Sequence, residues 1–185
     1  MFSTEKEASD IVREFLNTHN WEYKEQYLTK SGKAIDYYVK APHDGGYIFF
    51  GIECKRDLDC ETNATLLADY LEQARAYSID LGAPVFLAPV LNMDVSSLTM
   101  GGAQLKAMSA LSIFGGRMNV GIMSRCERYY KGITNIEWVM TLRGAVFWRD
   151  SWGYEGFNPK RLNMVSSTGS KKERKDIKIW RPINA

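Results

Sequence analysis

Two strand-like segments around a tight turn constrain the fold of this chain most. Residues 34–41 and 47–55 are rich in β-branched and aromatic side chains, and the sequence Pro-His-Asp-Gly-Gly separates them. A two-residue loop would pair His43 with Gly46, and a four-residue loop would give the same register. A three-residue loop would shift the pairing by one residue. The segment therefore predicts a β-hairpin whose register depends on the loop length.

The expected register sorts the hairpin side chains onto two faces. Counting seven residues away from the turn along each strand, from His43 and from Gly46, places Asp36 opposite Glu53. One face then carries largely apolar pairs, namely Ile35/Cys54, Tyr37/Ile52 and Val39/Phe50. The other face carries the pairs Ala34/Lys55, Asp36/Glu53, Tyr38/Gly51 and Lys40/Phe49. We expect the first face to be buried, and Gly51 to leave room for a ligand on the second.

The opposed carboxylates of Asp36 and Glu53 predict a metal site. Directly opposed side chains have Cβ atoms about 5 Å apart, where like charges destabilise a sheet. Mg²⁺ or Mn²⁺ would offset this repulsion, because carboxylates are the hard oxygen ligands these cations prefer. Lys55, on the same face, could orient a water molecule or neutralise charge on a phosphate. Such a group suits phosphodiester hydrolysis. The alternative interpretation is an ordinary surface ion-pair cluster.

The flanking sequence predicts a mixed α/β arrangement around this hairpin. The spacing of Ala8, Val12 and Leu16 predicts a first helix, capped by Thr4 and Glu7 and ending near 19–20. Residues 21–28 follow as a strand. A second helix is expected from Thr62 or Asn63 to about 80, and an apolar strand at 84–90 follows it, parallel to the hairpin. The predicted order is helix, three-stranded meander, helix, strand.

The second half of the chain gives weaker patterns. We expect one domain over 1–185, with a core at about 5–90 and a C-terminal elaboration at about 91–185. The elaboration is predicted to be irregular α+β, with a helix at 103–114 and strands at 120–124, 138–142 and 145–148. Residues 125–131 mix cations with tyrosines, which is typical of a single-strand-binding segment or of a mobile loop with half-buried tyrosines.

Composition narrows the classes of protein and of site. No run approaches the length of a membrane span, and no apolar signal core begins the sequence, so we expect a cytoplasmic protein without a membrane partner. The three cysteines and two histidines lack zinc-ligand spacing and do not indicate a disulfide framework. The net charge of +2 neither requires nor excludes a nucleic-acid partner.

The spacing of the site residues resembles a known family. Asp36, sixteen further residues and Glu53-Cys54-Lys55 resemble the motif of the PD-(D/E)XK nuclease superfamily, with Ile35 where the name has proline. Gln73 and Tyr77, one helical turn apart, resemble the QxxxY motif of RecB-like nucleases. The alternative interpretation of this pair is a solvated glutamine and a tyrosine at the core edge.

The resemblance implies a restriction-endonuclease-like core and a Mg²⁺- or Mn²⁺-dependent nuclease acting on DNA, with an endonuclease expected first. It implies metal binding by Asp36 and Glu53, with a backbone carbonyl of Ile52 or Cys54. A further acid on the first helix, Glu7 or Glu14, is a candidate ligand, although Glu7 is also explained as a capping residue and Glu14 as an exposed acid. Lys55 is implied as catalytic, with Gln73 and Tyr77 in support.

Several alternatives stay open for the substrate and the partners. The candidates for contact with nucleic acid are Lys40, Arg56, Lys171, Lys172, Arg174 and Lys175. For the last four, in a basic run near the C-terminus, the alternative interpretation is a solvated charged surface. An exonuclease, a junction resolvase, an RNA endonuclease of the same fold and a non-catalytic nucleic-acid-binding protein are the rival functions. A homodimer is the arrangement that cleavage of both strands of a duplex would call for.

Overall fold

One eight-stranded sheet and two helices form the described part of the chain. The computed structural model describes residues 4–43, 45–56, 64–91, 119–130, 132–143, 145–151 and 154–157. The elements in chain order are α1 (Glu5–Thr18), β1 (Glu22–Leu28), β2 (Ala34–His43), β3 (Gly46–Cys54), α2 (Ala64–Leu81), β4 (Val85–Leu91), β5 (Val120–Tyr130), β6 (Ile133–Leu142), β7 (Ala145–Ser151) and β8 (Tyr154–Phe157).

The strands lie in the sheet in the order in which they occur in the sequence. Strands β1, β2 and β3 form an antiparallel meander, and α2 then crosses over to β4, which pairs parallel with β3. Strand β5 is parallel to β4, and β6, β7 and β8 continue as an antiparallel ladder. The predicted mixed α/β class and the order helix, meander, helix, parallel strand are confirmed.

Helix α1 forms where the apolar spacing predicts it. Ala8, Val12, Phe15 and Leu16 are buried along one side, and the Thr4 hydroxyl accepts a hydrogen bond from the Glu7 amide at the N-terminus. A side-chain acceptor at this position satisfies one of the amides that lack a partner in the first turn. Helix α2 ends at Gly82, whose φ of 62° suits a residue without a side chain.

The core on the α1 side of the sheet joins α1 and the start of the meander to β7 and β8. Phe15 and Trp21 contact Trp148 of β7, with ring centroids 5.3 and 5.0 Å apart. Trp21 also stacks on Phe157 of β8 at 5.8 Å, so the sheet curls until its last strands face its first. The first and second halves of the chain therefore bury their aromatic residues together.

The prediction of an irregular α+β second half is wrong for the described residues. β5 to β8 form an antiparallel ladder with a register shift between Met140 and Thr141, in which β5 and β6 are longer than predicted and β8 was not predicted. Residues 125–130 lie in β5 and do not form the loop that was one alternative. The helix predicted at 103–114 lies outside the described residues. None of the helices in the described part of the chain is long and apolar enough to cross a membrane.

Candidate active site

The hairpin register places Asp36 beside β3. Strands β2 and β3 pair from His43 opposite Gly46 down to Tyr37 opposite Ile52, as a two-residue loop predicts. At the end of this ladder the backbone amide of Cys54 donates to Asp36 Oδ2 at 2.7 Å. A carboxylate thus takes the role that a backbone carbonyl has elsewhere in the ladder, and this fixes the side chain of Asp36 close to Glu53.

The side chains of β2 stop alternating regularly between the two faces of the sheet at this end of the ladder. Tyr37 bonds to Ser9 of α1, whereas the Ile35 side chain lies beside Leu81 of α2, on the other face of the sheet. The expected pairing of Ile35 with Cys54 on the α1 side is therefore wrong. The physical reason is that the regular ladder ends at Tyr37, so Ile35 no longer follows the alternation.

The space expected at Gly51 is filled. A Cβ atom at this position would lie 2.5 Å from Ile35 Cδ1 and 3.1 Å from the side chains of Leu81 and Val85. Real Cβ contacts are not this short, so Gly51 serves the close approach of α2 to the sheet. The prediction that Gly51 leaves room for a ligand is wrong.

Strand β1 supplies a site residue that the sequence pattern did not indicate. Gln26 lies next to β2 in a left-handed conformation with φ of 46°, and its amide Nε2 donates to Asp36 Oδ1 at 2.9 Å. Such a φ is unusual for a residue other than glycine and is often found at functional positions. Gln26 and the Cys54 amide together orient the two oxygens of Asp36.

Glu53 and Lys55 form a buried ion pair next to Asp36. Their residues are 4% and 7% exposed, and Lys55 Nζ donates to Glu53 Oε1 at 2.8 Å. Glu53 Oε2 is buried and accepts no hydrogen bond from any described residue. Burying a carboxylate oxygen without a partner costs free energy, so this atom is suited to bind a cation.

The electrostatics of the pair follow from its burial. Burial and the nearby charge of Asp36 raise the pKa of Glu53 to about 7, although the bond to Lys55 acts in the opposite direction. Burial alone would lower the pKa of Lys55, but the bond to Glu53 and the charges of Glu5 and Asp36 raise it overall. Lys55 thus stays charged near neutral pH, where Glu53 changes its protonation state.

Helix α2 lies over this group. Tyr77, which is 4% exposed, donates from its hydroxyl to the carbonyl of Ala34 at 2.8 Å, and Gln73 Nε2 donates to the Tyr77 hydroxyl at 3.2 Å. The pKa of Tyr77 is raised, first by burial and also by the charge of Glu53. Lys55 Nζ lies 5.2 Å from the ring centroid of Tyr70. The pair Gln73 and Tyr77 therefore anchors β2 two residues before Asp36.

The N-terminal turn of α1 approaches the other side of the group. The charge of Glu5 acts on Lys55, and Ser9 lies close enough to affect the pKa of the Cys54 thiol, which burial raises. Glu7 and Glu14 are both exposed, and Glu14 lies more than two helical turns beyond Glu5. The sequence analysis nominated Glu7 and Glu14 on α1, whereas the α1 acid whose charge acts on Lys55 is Glu5.

Of the candidate nucleic-acid contacts, the structure describes Lys40 and Arg56. Lys40 bonds both carboxylate oxygens of Glu22 at 3.0 Å, and its ammonium lies 3.8 Å from the ring centroid of Tyr47. Arg56 is exposed directly after Lys55. The basic residues Lys171, Lys172, Arg174 and Lys175 lie outside the described residues.

Among the described residues, the site offers few side chains that could act as metal ligands. Asp36 and Glu53 supply carboxylate oxygens, and within the described residues no group of three or more His, Cys, Asp or Glu side chains is arranged to hold a metal ion. Mg²⁺ commonly binds proteins through one or two carboxylates and completes its shell with water and substrate phosphate. The two carboxylates therefore fit this cation if water, phosphate and a backbone carbonyl supply the remaining ligands.

Comparison with known proteins gives no family for this chain. No protein-family model, curated protein or solved structure matches it significantly.

The pKa of Glu53 predicts a pH dependence of stability. A carboxyl whose pKa rises from 4.5 to about 7 on folding contributes its full stabilisation below pH 4.5. This contribution is lost as the pH rises to about 7. The expected fall in the free energy of unfolding across this window is about 3 kcal/mol. Glu53→Gln, which does not ionise, should lack this fall in denaturant titrations with EDTA at pH 5 and pH 8. Glu22→Gln is the exposed control, and an equal fall in wild type and Glu53→Gln would contradict the assignment.

If Asp36 and Glu53 bind a divalent cation, Tyr77→Phe should weaken that binding through β2. The variant loses the hydroxyl that holds the Ala34 carbonyl, at a cost of about 1 kcal/mol, or about 3 °C in melting temperature. Tyr23→Phe is a matched control, because it loses a single bond to Asn17 Oδ1 away from the site. Both variants should lose similar stability, but only Tyr77→Phe should require more Mn²⁺ for half-maximal thermal stabilisation. Equal Mn²⁺ requirements would leave α2 a purely structural role.

Proposed function

We propose that this chain is a divalent-metal-dependent nuclease with a restriction-endonuclease-like core, and that Asp36, Glu53 and Lys55 form its active centre. The observation that carries the proposal is the buried Glu53 Oε2 beside Asp36, which has no hydrogen-bond partner among the described residues, in a group that also holds a buried lysine. A stability role alone gives no reason to place a second acid, Asp36, beside the buried Glu53, because their repulsion costs free energy.

Asp36 and Glu53 are the residues that would hold Mg²⁺ or Mn²⁺. The carboxylate of Asp36 is oriented by Gln26 and the Cys54 amide, yet a carboxylate has further lone pairs on both oxygens. Cys54 would contribute its backbone carbonyl, since its thiol is buried and held protonated. A bound cation polarises the phosphate and activates water for attack.

Lys55 is the residue that would act on the phosphate. Its ammonium lies between Glu53 and the face of Tyr70, and it keeps its positive charge at neutral pH. A fixed cation at this position can hold the attacking water through its N–H groups or neutralise charge that develops on a phosphate oxygen. In a site from which water is largely excluded, both effects are stronger than in solution.

The order of elements around the site supports the proposal. The helix, the three-stranded meander, the second helix and the parallel strand occur in the order that the resemblance to the PD-(D/E)XK superfamily implies. The motif residues lie at the ends of β2 and β3, and Gln73 and Tyr77 lie on the helix that covers them. A non-catalytic nucleic-acid-binding protein would have no need of the buried Lys55 and Glu53 pair.

DNA is the proposed substrate; a homodimer is the arrangement that cleavage of both strands of a duplex would require. The test is incubation of the protein with linear duplex DNA, circular single-stranded DNA, branched DNA and RNA, each with Mg²⁺, Mn²⁺ or EDTA. Cleavage of circular DNA would assign an endonuclease, and cleavage from ends alone would assign an exonuclease. Preference for branched DNA or for RNA would assign a resolvase or an RNA endonuclease. Absence of cleavage with every substrate and metal would overturn the proposal.

A further inference from the structure

Three aromatic rings from successive strands form a strip on the sheet beside the site. Tyr27 of β1 stacks on Tyr38 of β2 with ring centroids 4.7 Å apart and planes at 25°. Tyr38 stacks on Phe49 of β3 at 5.9 Å and 24°. All three side chains are half-buried, so part of each ring is open to solvent. We call these three residues the aromatic strip.

The aromatic strip lies on the face of the sheet away from α1. Glu25, two residues before Tyr27, bonds to Arg13 of α1, whereas Tyr27 itself stacks on Tyr38. The left-handed conformation of Gln26, between them, coincides with this change of face. The unusual backbone at Gln26 thus accompanies both the bond to Asp36 and the position of Tyr27.

The strip is continuous with the candidate active centre. Gln26 directly precedes Tyr27 and donates to Asp36, and Tyr38 follows Asp36 by two residues, or about 7 Å along a strand. A polymer whose scissile phosphate lies at Asp36 would therefore carry its neighbouring units onto these rings.

Cationic side chains flank the aromatic strip. Lys24 is exposed on β1 with its ammonium 5.9 Å from the centroid of Tyr27. Lys40 follows Tyr38 on the same face of β2, where it pairs with Glu22 and lies over Tyr47. Stacked aromatic rings with nearby cations match the two parts of an unpaired nucleotide, the π face of its base and its phosphate. A duplex presents neither separate bases nor a splayed backbone to such a surface.

We propose that the aromatic strip binds the unpaired bases of a single-stranded segment and delivers the adjoining phosphate to Asp36 and Glu53. The inference rests on the proposed function and specifies its substrate as a single strand or a single-stranded region of a larger nucleic acid. Recognition through stacking tolerates any base, because every base has a π face. The strip therefore selects strandedness and not sequence.

The test measures binding without cleavage. Fluorescence anisotropy in EDTA would compare labelled oligo(dT), oligo(U) and a DNA duplex of equal length, using wild type and the variants Tyr27→Leu and Phe49→Leu. Leucine keeps apolar packing but removes the π face. Tyr23→Leu is the matched control, because Tyr23 is also a half-buried tyrosine on β1 but packs on Tyr37 on the α1 side.

Wild type should bind a single strand more tightly than the duplex, and each strip variant should raise the single-strand Kd about tenfold, because one stacked base is lost. Tyr23→Leu should leave this Kd unchanged. The oligo(dT) and oligo(U) arms distinguish DNA from RNA as the source of the bases. Equal binding of duplex and single strand, or an unchanged Kd in both strip variants, would overturn the inference.

The result of this binding test can be distinguished from the result of the cleavage test of the proposed function. Metal-dependent cleavage with unchanged binding in both strip variants would overturn the role of the strip and leave the nuclease intact. Strip-dependent binding of a single strand without cleavage under any metal would overturn the nuclease and leave the binding surface.

Discussion

Lys55→Met should reduce the cleavage rate at saturating substrate by about two to three orders of magnitude, as the loss of a single preorganised hydrogen-bond donor does in an oxyanion hole. Methionine keeps the length and apolar stem of lysine but removes the ammonium that lies 2.8 Å from Glu53. Substrate binding should change little, because the contribution of Lys55 is made mainly in the transition state. The measurement is a single-turnover rate with Mn²⁺ at pH 8.5, where Glu53 of the wild type is ionised. The loss of Lys55 raises the pKa of Glu53 further, so the variant rate is taken at the plateau of its own pH profile.

Lys40→Met provides the matched control for this experiment. Lys40 is also paired with an acid, but it is only partly buried, its partner is Glu22 and its ammonium lies over Tyr47. Its loss should lower substrate affinity modestly and leave the rate at saturation within about twofold, since the charge is remote from the reacting phosphate. A Lys55→Met rate equal to wild type would remove Lys55 from the mechanism.

Asp36→Asn should abolish the stabilisation that Mn²⁺ gives the wild-type protein. A ligand that binds only the folded state at one hundred times its Kd adds about 2.7 kcal/mol to the free energy of unfolding. In a protein of this size that corresponds to roughly 5 to 10 °C in melting temperature. The amide of asparagine keeps the size of the side chain but removes its charge, so metal affinity should be lost.

The same titration tests the role of Glu53 through pH. Because burial raises the pKa of Glu53 to about 7, a proton competes with the cation for this carboxylate below neutrality. The Mn²⁺-induced shift in melting temperature should therefore grow from pH 6 to pH 8. Glu22→Gln should retain the whole effect. A shift that is independent of pH, or one that survives in Asp36→Asn, would contradict metal binding at these carboxylates.

The sequence predicted the framework of the site because short-range patterns determine it. The Asp-Gly turn and the alternation of side chains are local features, and they are sufficient to derive the register from His43 opposite Gly46 to Tyr37 opposite Ile52. The helix spacing likewise predicted α1 and α2, and the apolar run after α2 predicted β4 as a strand parallel to the hairpin. These features need no knowledge of distant contacts.

The parts that could not be predicted depend on tertiary contacts. Gln26 bonds to Asp36 only because β1 takes a left-handed residue there, and no residue preference for glutamine indicates it. The packing at Gly51 depends on Ile35 leaving its expected face and on Leu81 arriving from α2. The long β5 and β6 ladder was underestimated because its outer residues alternate weakly, and 133–136 are all exposed.

The central claim is that Asp36 and Glu53 hold a metal ion with which this protein cleaves nucleic acid. The rate of cleavage of a labelled circular single-stranded DNA tests this claim most directly. The rate would be measured for wild type and Asp36→Asn, each with Mn²⁺ and with EDTA. We expect cleavage only in the reaction of wild type with Mn²⁺, and no cleavage in the other three reactions. Cleavage by wild type in EDTA, equal cleavage by Asp36→Asn, or a lack of cleavage in all four reactions would contradict the claim for this substrate.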